Sequence, residues 1–305
     1  MDDAGLLGLA AWIAATVRSA TPLLFAILGE TLTQRVGIIN LGIEGEMLVG
    51  ACFGFAVAAA TGNPLLGLLA GAGAGAVLSF AHAALVLFCR ANQIGSGLAV
   101  WMIGLGVTAY AGIAYVGKEV EPLPSLAAPG ESFFATLLSQ LTPTALVGPV
   151  FVLFVGLWLY RTRTGLSWRT VGESEEAARA AGLRPDVIRL LAILAGGVLA
   201  GLGGAILSID YTLTWAPDMT KGTGLVAVGL VIVARWNPFL GLPVALLFGL
   251  SQAAVQRLPA SGIVISSHLL ACIPYVVAVG VIVLAQLSAR RGSGMPAELK
   301  AVFGR

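Results

Sequence analysis

The sequence is dominated by long, unbroken runs of apolar residues that are separated by short polar segments. The runs cover residues 5–30, 42–61, 64–89, 94–117, 144–160, 188–209, 222–234, 238–256 and 266–288. Most approach or exceed the about 20 residues that a helix needs to cross a bilayer, and they lack the alternation of barrel strands. Arg18 and Pro22 interrupt the first run, which is either one irregular span or two shorter helices. We therefore expect an all-α polytopic membrane protein with nine or ten transmembrane helices.

Composition limits the function classes. The chain of 305 residues is 58% hydrophobic and 10% charged, whereas a soluble domain carries about 25% charged residues, so a water-soluble enzyme is excluded. Little chain remains outside the membrane, and we expect residues 1–305 to form a single transmembrane domain. The net charge of +2 is too small an excess to indicate nucleic-acid binding.

Basic residues are unevenly distributed between alternate loops. If the spans alternate in direction, 13 of the 17 Lys and Arg residues fall on one side. These are Arg35, Arg90, the six arginines from Arg161 to Arg189, Arg235, Arg290, Arg291, Lys300 and Arg305. The positive-inside rule makes that side the cytoplasm, which also places the C-terminus there. Lys118, Lys221, Arg257 and Arg18 are expected on the opposite side.

Glycines recur at four-residue spacing within the spans, at Gly50/Gly54, Gly67/Gly71/Gly75 and Gly197/Gly201. Such spacing lets helices approach closely, and it is typical of tight packing more often than of helices that slide during transport.

An Asn-Pro pair opens two of the apolar runs. Asn63-Pro64-Leu65-Leu66-Gly67-Leu68 and Asn237-Pro238-Phe239-Leu240-Gly241-Leu242 are similar in sequence. On the orientation above, one begins outside and the other inside, which predicts an inverted repeat. The alternative is that Asn-Pro is simply a good start for a helix at a membrane surface.

Residues 161–189 form the most polar segment of the chain. Within it, Ser174 is a suitable cap for a short helix, Glu175 and Glu176 favour its amino end, and Gly182 suits the left-handed position that follows its last turn. Two interpretations are open: a stiff helix that transmits force from a partner, or a solvated loop that only orients the protein.

Several motifs resemble those of a known family. They are Glu176-Ala177-Ala178 with Gly182; Thr21-Pro22-Leu23-Leu24 leading to Gly29-Glu30; Gly37-Ile38-Ile39-Asn40-Leu41-Gly42-Ile43-Glu44-Gly45; Asn92-Gln93 with Ser96-Gly97; and Pro217, Met219, Thr220, Gly222 and Gly224 before Arg235-Trp236-Asn237-Pro238. Over residues 20–285 the chain is similar to inner-membrane permeases of the ribose and branched-chain amino-acid superfamily of ATP-binding-cassette (ABC) transporters. The similarity is greatest to the nucleoside and simple-sugar subgroup. It implies a type II-like ABC importer permease.

Two positions depart from that subgroup. It has Glu where this chain has Gln34, and it has a Met pair or Met-Leu directly after Glu-Gly, where this chain inserts Glu46. The added carboxylate either alters the charge of the path or faces cytoplasmic water.

The resemblance implies partners and a location. Such permeases work with a second, longer permease chain, two ATPase subunits that hold ATP and Mg²⁺, and an extracellular nucleoside- or sugar-binding lipoprotein. This chain would then lie in the bacterial inner membrane, surrounded by lipid, with no cofactor, metal or catalytic residue of its own. The implied ATPase-coupling residues are Arg169, Gly172, Glu173, Glu176, Ala177, Ala178 and Gly182.

Polar side chains at membrane depth are the candidates for the substrate path, because they are costly there unless they face a cavity or a partner. These candidates are Glu30, Asn40, Glu44, Asn92, Gln93 and Ser96, with Trp101 and Phe248 as aromatic surfaces for a nucleoside base. Tyr275 is a further aromatic candidate, and Gln252 is a further hydrogen-bonding candidate for the ribose. A structural alternative pairs Arg35 with Glu30 or Glu44.

Two function classes remain. The first is a permease subunit of an ABC importer for nucleosides, or alternatively for ribose or another simple sugar. The second is an ion-driven secondary transporter, for which the inverted repeat and Glu30, Glu44 and Asp210 would be the evidence. A charge reversal at Glu176 distinguishes the two classes, because only the first needs the loop for coupling.

Overall fold

A computed structural model describes residues 3–130, 132–260, 266–288 and 294–303. Their α-helices are α1 (Asp3–Arg35), α2 (Ile43–Thr61), α3 (Pro64–Ala83), α4 (Gln93–Ala111), α5 (Phe133–Ser139), α6 (Pro143–Arg161), α7 (Arg163–Glu173), α8 (Glu175–Ala180), α9 (Pro185–Ile206), α10 (Thr223–Val233), α11 (Pro238–Ala260), α12 (Ser267–Ser288) and α13 (Ala297–Phe303). Short π-helical segments extend α3 (Ala84–Phe88) and α9 (Leu207–Tyr211).

Seven of the described helices are long and apolar enough to cross a membrane, by length and composition. Two shorter apolar helices, Thr223–Val233 and Cys272–Leu284, bring the apolar helices in the described ranges to nine. Helix α1 is continuous through Pro22, so the first apolar run is one helix rather than two. The prediction of an all-α polytopic membrane protein is confirmed.

Glycines hold the central helices at backbone contact. A Cβ placed at Gly50 would overlap the backbone of Gly201, and one at Gly75 would overlap the carbonyl of Gly197. At Gly71 it would lie 2.7 Å from the Gly50 carbonyl oxygen. The four-residue glycine spacing therefore produces close packing of α2, α3 and α9, as expected from the sequence.

The packing repeats itself in inverted form. Helix α3 packs on α9, and α11 packs on α1. Gly75 meets Gly197 and Gly201, and Gly249, which like Gly75 lies 12 residues after its Asn-Pro asparagine, meets Thr16 and Ala20.

The direction of the corresponding helices is opposite. Gly203 meets Pro22 and Gly196 meets Gly29, so residue numbers rise along α1 as they fall along α9. Each asparagine also caps its helix: Asn63 Oδ1 accepts from Leu65 N at 3.0 Å, and Asn237 Oδ1 accepts from Phe239 N at 3.0 Å. These contacts support the predicted inverted repeat.

Charged residues segregate to the two ends of the bundle. At the arginine-rich end, Arg35 donates to the Trp236 carbonyl at 2.7 Å, and Arg189 donates to the Val36 carbonyl at 3.3 Å. At the opposite end, Lys118 lies over Tyr115, and Arg18 donates to the Asp210 carbonyl at 3.0 Å. These four residues follow the grouping expected from the loops, and Arg290, Arg291 and Arg305 lie outside the described residues.

Candidate functional site

Two helices form the surface of the 161–189 segment. Helix α7, which sequence reasoning did not predict, begins after Thr162, whose Oγ1 accepts from Gly165 N at 3.0 Å. Its buried residues Gly165, Trp168 and Gly172 recur at helical spacing, a signal that the polar composition obscured. Trp168 packs edge-on against Trp158 of α6, with ring centroids 4.7 Å apart. The segment is therefore an ordered helical pair rather than a solvated loop.

Helix α8 has the predicted ends. Ser174 Oγ accepts from Ala177 N at 3.1 Å, and Gly182 has φ +77°, the left-handed conformation that glycine adopts at low cost. Ala178 is fully buried, whereas Glu176 and Ala177 are exposed. One face of α8 is thus buried against the protein, and the other is exposed.

Gly172 connects this helical pair to the transmembrane bundle. A Cβ on Gly172 would overlap the carbonyl oxygen of Arg35 at the end of α1. Arg169 and Arg35 both lie over the ring of Tyr160, 5.4 and 5.9 Å from its centroid. Helix α7 is therefore in direct contact with the end of α1.

An ion-pair cluster fixes α8 to α9. Arg189, with 11% of its side chain exposed, donates to Glu175 Oε2 at 2.6 Å. Arg179 donates to Glu175 Oε1 at 2.8 Å and lies 3.3 Å from Asp186. The hydrogen bond from Arg179, with a smaller contribution from Arg189, holds the pKa of Glu175 below its ordinary value.

A buried polar network lies inside the arginine-rich end. Glu30 Oε1 accepts from Gln34 Nε2 at 2.8 Å and from the Asn40 backbone at 3.2 Å. Asn40 Nδ2 donates to Glu46 Oε1 at 2.7 Å, and Trp236 Nε1 donates to Gln34 Oε1 at 2.6 Å. Glu30 and Glu46 have no exposed surface, so this network links helices and does not line an open path.

The suggested pairing of Arg35 with Glu30 or Glu44 is wrong. Besides the Trp236 carbonyl, Arg35 donates to the hydroxyl of Tyr160 at 3.0 Å. Residues five apart on a helix do not share a face, whereas Gln34, four residues after Glu30, does. Glu46 lies within the network, away from cytoplasmic water.

Glu44 holds the start of α10. Its carboxylate accepts from Thr220 Oγ1 at 2.6 Å, from Gly222 N at 2.7 Å and from Gly224 N at 2.6 Å. A carboxylate at a helix amino end compensates the unpaired N–H groups there. Glu44 is thus a positioning residue for the segment before α10.

The candidates on α4 mainly fix its start. Asn92 Oδ1 accepts from Gly95 N at 3.0 Å, and Gln93 Oε1 accepts from Ile39 N at 2.9 Å. Ser96 Oγ lies 3.2 Å from His82 Nδ1 in the buried interface with α3. Trp101 lies one turn further along, and its buried Nε1 has no hydrogen-bond partner among the described residues. Asn92 and Gln93 line one cavity, of about 650 Å³, at the arginine-rich end, whereas Ser96 and Trp101 are not among its lining residues.

Phe248 does line a cavity, of about 280 Å³, between α1, α10, α11, α12 and residues 211–223. Its polar lining includes Thr220, Thr223, Lys221, Gln252 and Gln256. Tyr211 and Tyr275 supply further aromatic surface. This volume is at the lower limit for pockets that hold small molecules, about 300–1,000 Å³, and the mixture of aromatic and amide groups suits a small polar ligand.

The cavity wall is partly irregular backbone. Lys221, which lines the cavity, has a positive φ of +46°, and so do Leu213 (+60°) and Asp218 (+55°) in the same segment. The Tyr275 hydroxyl donates to the Lys221 carbonyl at 2.7 Å, and the Gln256 amide donates to the Tyr211 hydroxyl at 2.8 Å. Non-helical backbone at membrane depth is tolerated where it lines a cavity.

Sequence reasoning identified only part of this lining. It named Phe248, Tyr275 and Gln252 as possible substrate contacts but gave no such role to Tyr211, Lys221 or Gln256. The available signal was the spacing of Phe248, Gln252 and Gln256, four residues apart along α11, which places one aromatic and two amides on a single face of an apolar helix.

Similar proteins are transport permeases. The chain is 39% identical over 255 residues to the putative glucose ABC transporter permease protein TsgC13 of Haloferax volcanii, covering 80% of this chain and 76% of the relative. It is 31% identical over 264 residues to the guanosine ABC transporter permease protein NupQ of Bacillus subtilis, covering 79% and 80%. It is 32% identical over 288 residues to the nucleoside ABC transporter permease protein NupC of Lactococcus lactis, covering 87% and 89%.

No solved structure matches the chain. The family model for the permease component of branched-chain amino acid transport systems matches residues 12–286, which include most of the first apolar helix, the eight other apolar helices of the described ranges and the 161–189 segment. The chain therefore belongs to this family of transport permeases, as its motifs predicted.

Proposed function

We propose that the chain is the transmembrane permease subunit of an ATP-driven ABC importer that moves nucleosides inward by alternating access. It would act as one transmembrane domain in a bacterial plasma membrane, without a catalytic residue of its own. Support comes from the relatives, which are nucleoside and sugar ABC permeases, and from the cavity beside Phe248, Tyr211 and Tyr275.

The observation that carries the proposal is the connection between α8 and the bundle. The face with Glu176 and Ala177 is exposed and ready for a partner, while Ala178, Gly172 and Arg189 fix the opposite side to α1 and α9. We assign the arginine-rich end, and α13 with it, to the cytoplasm on the positive-inside rule. ATP and Mg²⁺ would bind to separate ATPase subunits that dock on this face.

The remaining partners follow from the same proposal. A second, longer permease chain completes the path, and an extracellular lipoprotein delivers the nucleoside. The cavity of this chain then binds substrate only weakly, because the substrate has to leave it again during each cycle.

A sugar is the second candidate substrate. The relative that is 39% identical to this chain is named as a putative glucose permease, and Gln252, Gln256 and Thr223 offer hydrogen bonds to sugar hydroxyls as well as to ribose.

The test is ATP-dependent uptake of labelled nucleosides, ribose and glucose in vesicles that carry the chain with its co-purifying partners. Glu176→Lys is the coupling variant, and Glu119→Lys, an exposed charge reversal at the opposite end, is the matched control. We expect nucleoside uptake that Glu176→Lys abolishes and Glu119→Lys leaves intact. Uptake of sugar alone would show that the substrate is a sugar and not a nucleoside. Uptake independent of ATP and of Glu176 would indicate an ion-driven carrier instead.

A further inference from the structure

Helix α13 lies against α7 and α8, the two helices of the 161–189 segment. Glu298, on its first turn, contacts three other elements of the arginine-rich end: the start of α8, the side chain of Arg189 on α9, and the turn between α1 and α2. Neither the motifs nor the apolar runs of the sequence assign a role to this residue.

The contact with α8 is a backbone hydrogen bond. Glu298 Oε1 accepts from Glu175 N at 3.0 Å, across 123 residues of sequence. The N–H of Glu175 belongs to the first turn of α8 and has no acceptor within that helix. Glu298 therefore supplies, from α13, the hydrogen-bond acceptor that the Glu175 N–H lacks within α8.

The second carboxylate oxygen faces Arg189. Glu298 Oε2 lies 3.5 Å from Arg189 Nη2, while the same guanidinium donates to Glu175 Oε2 at 2.6 Å and to the Val36 carbonyl at 3.3 Å. Arg189 thus binds both carboxylates of the cluster. Charge-assisted bonds of this kind are stronger than neutral ones.

Packing supports the same arrangement. A Cβ on Gly37, which has φ +86°, would lie 2.6 Å from the Cβ of Glu298, so α13 lies directly on the α1–α2 turn. Leu299 is fully buried in the same apolar core as Val36, Val171 and Ala178. The contact with Gly37 and the burial of Leu299 therefore fix the position of Glu298.

We propose that Glu298 is a positioning residue for energy coupling. It clamps α8 to α9 and to the α1–α2 turn, so that these elements move together when a partner displaces the exposed face of α8. The proposal rests on the ABC permease function proposed above. In its absence α8 would pivot about the Ser174 cap, and ATP hydrolysis by the partners would move α8 without moving α1.

The test compares Glu298→Ala, Glu298→Gln and Lys300→Ala in the assembled transporter. Lys300 is exposed on the same helix, so its variant controls for changes in α13 itself. Nucleoside uptake and ATP hydrolysis are measured in the same vesicles, and their ratio is the readout, since a loss of folded protein lowers both without changing the ratio.

We expect Glu298→Ala to lower uptake per ATP by about fivefold, the lower end of typical coupling between sites. Glu298→Gln should fall between it and the wild type, because its amide oxygen still accepts from Glu175 N–H but carries no charge for Arg189. Lys300→Ala should match the wild type. A second measurement, amide hydrogen exchange of residues 174–182 in the purified chain, should show faster exchange in Glu298→Ala than in the wild type or Lys300→Ala.

The outcomes separate the two proposals. Absence of ATP-dependent uptake in the wild type overturns the proposed function and the coupling role with it. Wild-type uptake with an unchanged ratio in Glu298→Ala, or an equal loss in Lys300→Ala, overturns the role of Glu298 alone. Unchanged exchange in Glu298→Ala likewise overturns the clamp.

Discussion

The carboxylate of Glu44 accepts a hydrogen bond from the backbone N–H of Gly222 at 2.7 Å, although 178 residues separate the two in sequence. Bonds to Gly224 N and Thr220 Oγ1 complete the contact. Through it, α2 determines where α10 begins and holds one wall of the cavity beside Thr220.

Replacing Glu44 by Ala should destabilise the protein. The substitution leaves the Gly222 and Gly224 N–H groups without an acceptor, and a buried unpaired donor costs about 1–3 kcal/mol. We expect a clear fall in the thermal unfolding temperature in detergent and a loss of uptake, whereas Glu119→Ala, at an exposed site, should change neither. An unfolding temperature equal to the wild type would contradict the assigned role.

Gly172→Ala should disrupt the contact between α7 and α1. The added methyl group overlaps the Arg35 carbonyl oxygen, a backbone atom that cannot rotate away. We expect lower stability and little or no uptake. Gly106→Ala is the matched control, because it adds the same methyl group where no atom lies within 4 Å and gains helix propensity of about 0.5–1 kcal/mol. Equal behaviour of the two variants would argue against this contact.

The ion-pair cluster of α8 should weaken in acid. The pKa of Glu175 is lowered in the folded protein by its bond to Arg179, so its stabilising effect is fully present above the ordinary pKa of 4.5 and is lost as the pH falls through the lower folded value. A nitroxide at residue 181, with exposed Cys89 and Cys272 replaced by Ser, should become more mobile only below about pH 4.5.

Glu175→Gln provides the control for this transition. Without the titrating carboxylate, the nitroxide should be mobile already at neutral pH and should show no step in that range. A step of equal size in the variant would assign the transition to another group.

Phe248→Ala should weaken nucleoside transport more than sugar transport. Its ring lies in the cavity wall, and an aromatic pair contributes about 0.5–1.5 kcal/mol, which corresponds to about a two- to tenfold rise in the KM for nucleosides. Leu250→Ala is the control on the same helix, since Leu250 is exposed and does not line the cavity. An equal rise of KM for nucleoside and sugar would exclude stacking by Phe248.

Local sequence patterns predicted those parts of the molecule that depend on neighbouring residues. The apolar runs gave the helices, and Ser174 and Gly182 correctly bounded α8 because capping is a contact within a few residues. The contacts of Glu44 and Glu298 were not predictable in this way, because their partners lie far away in sequence and only the packing of the bundle brings them together.

The Arg35 prediction failed for a different reason. Opposite charge suggested Glu30 as its partner, but helix geometry places position i+4, not i+5, on the same face, and Gln34 occupies it. Helical periodicity alone would have identified Gln34 as the partner of Glu30. The lining of the cavity was likewise visible in the spacing of Gln252 and Gln256 along α11.

The left-handed backbone positions of residues 213, 218 and 221 lie outside the glycine contacts that hold the central helices together. Substitutions of cavity residues such as Lys221 and Gln252 leave the glycine contacts of α2, α3 and α9 in place. Under the proposed function, the substrate specificity can therefore change while these helix contacts stay the same. Permeases that share one bundle architecture can then transport different substrates, in keeping with relatives named for guanosine and for glucose.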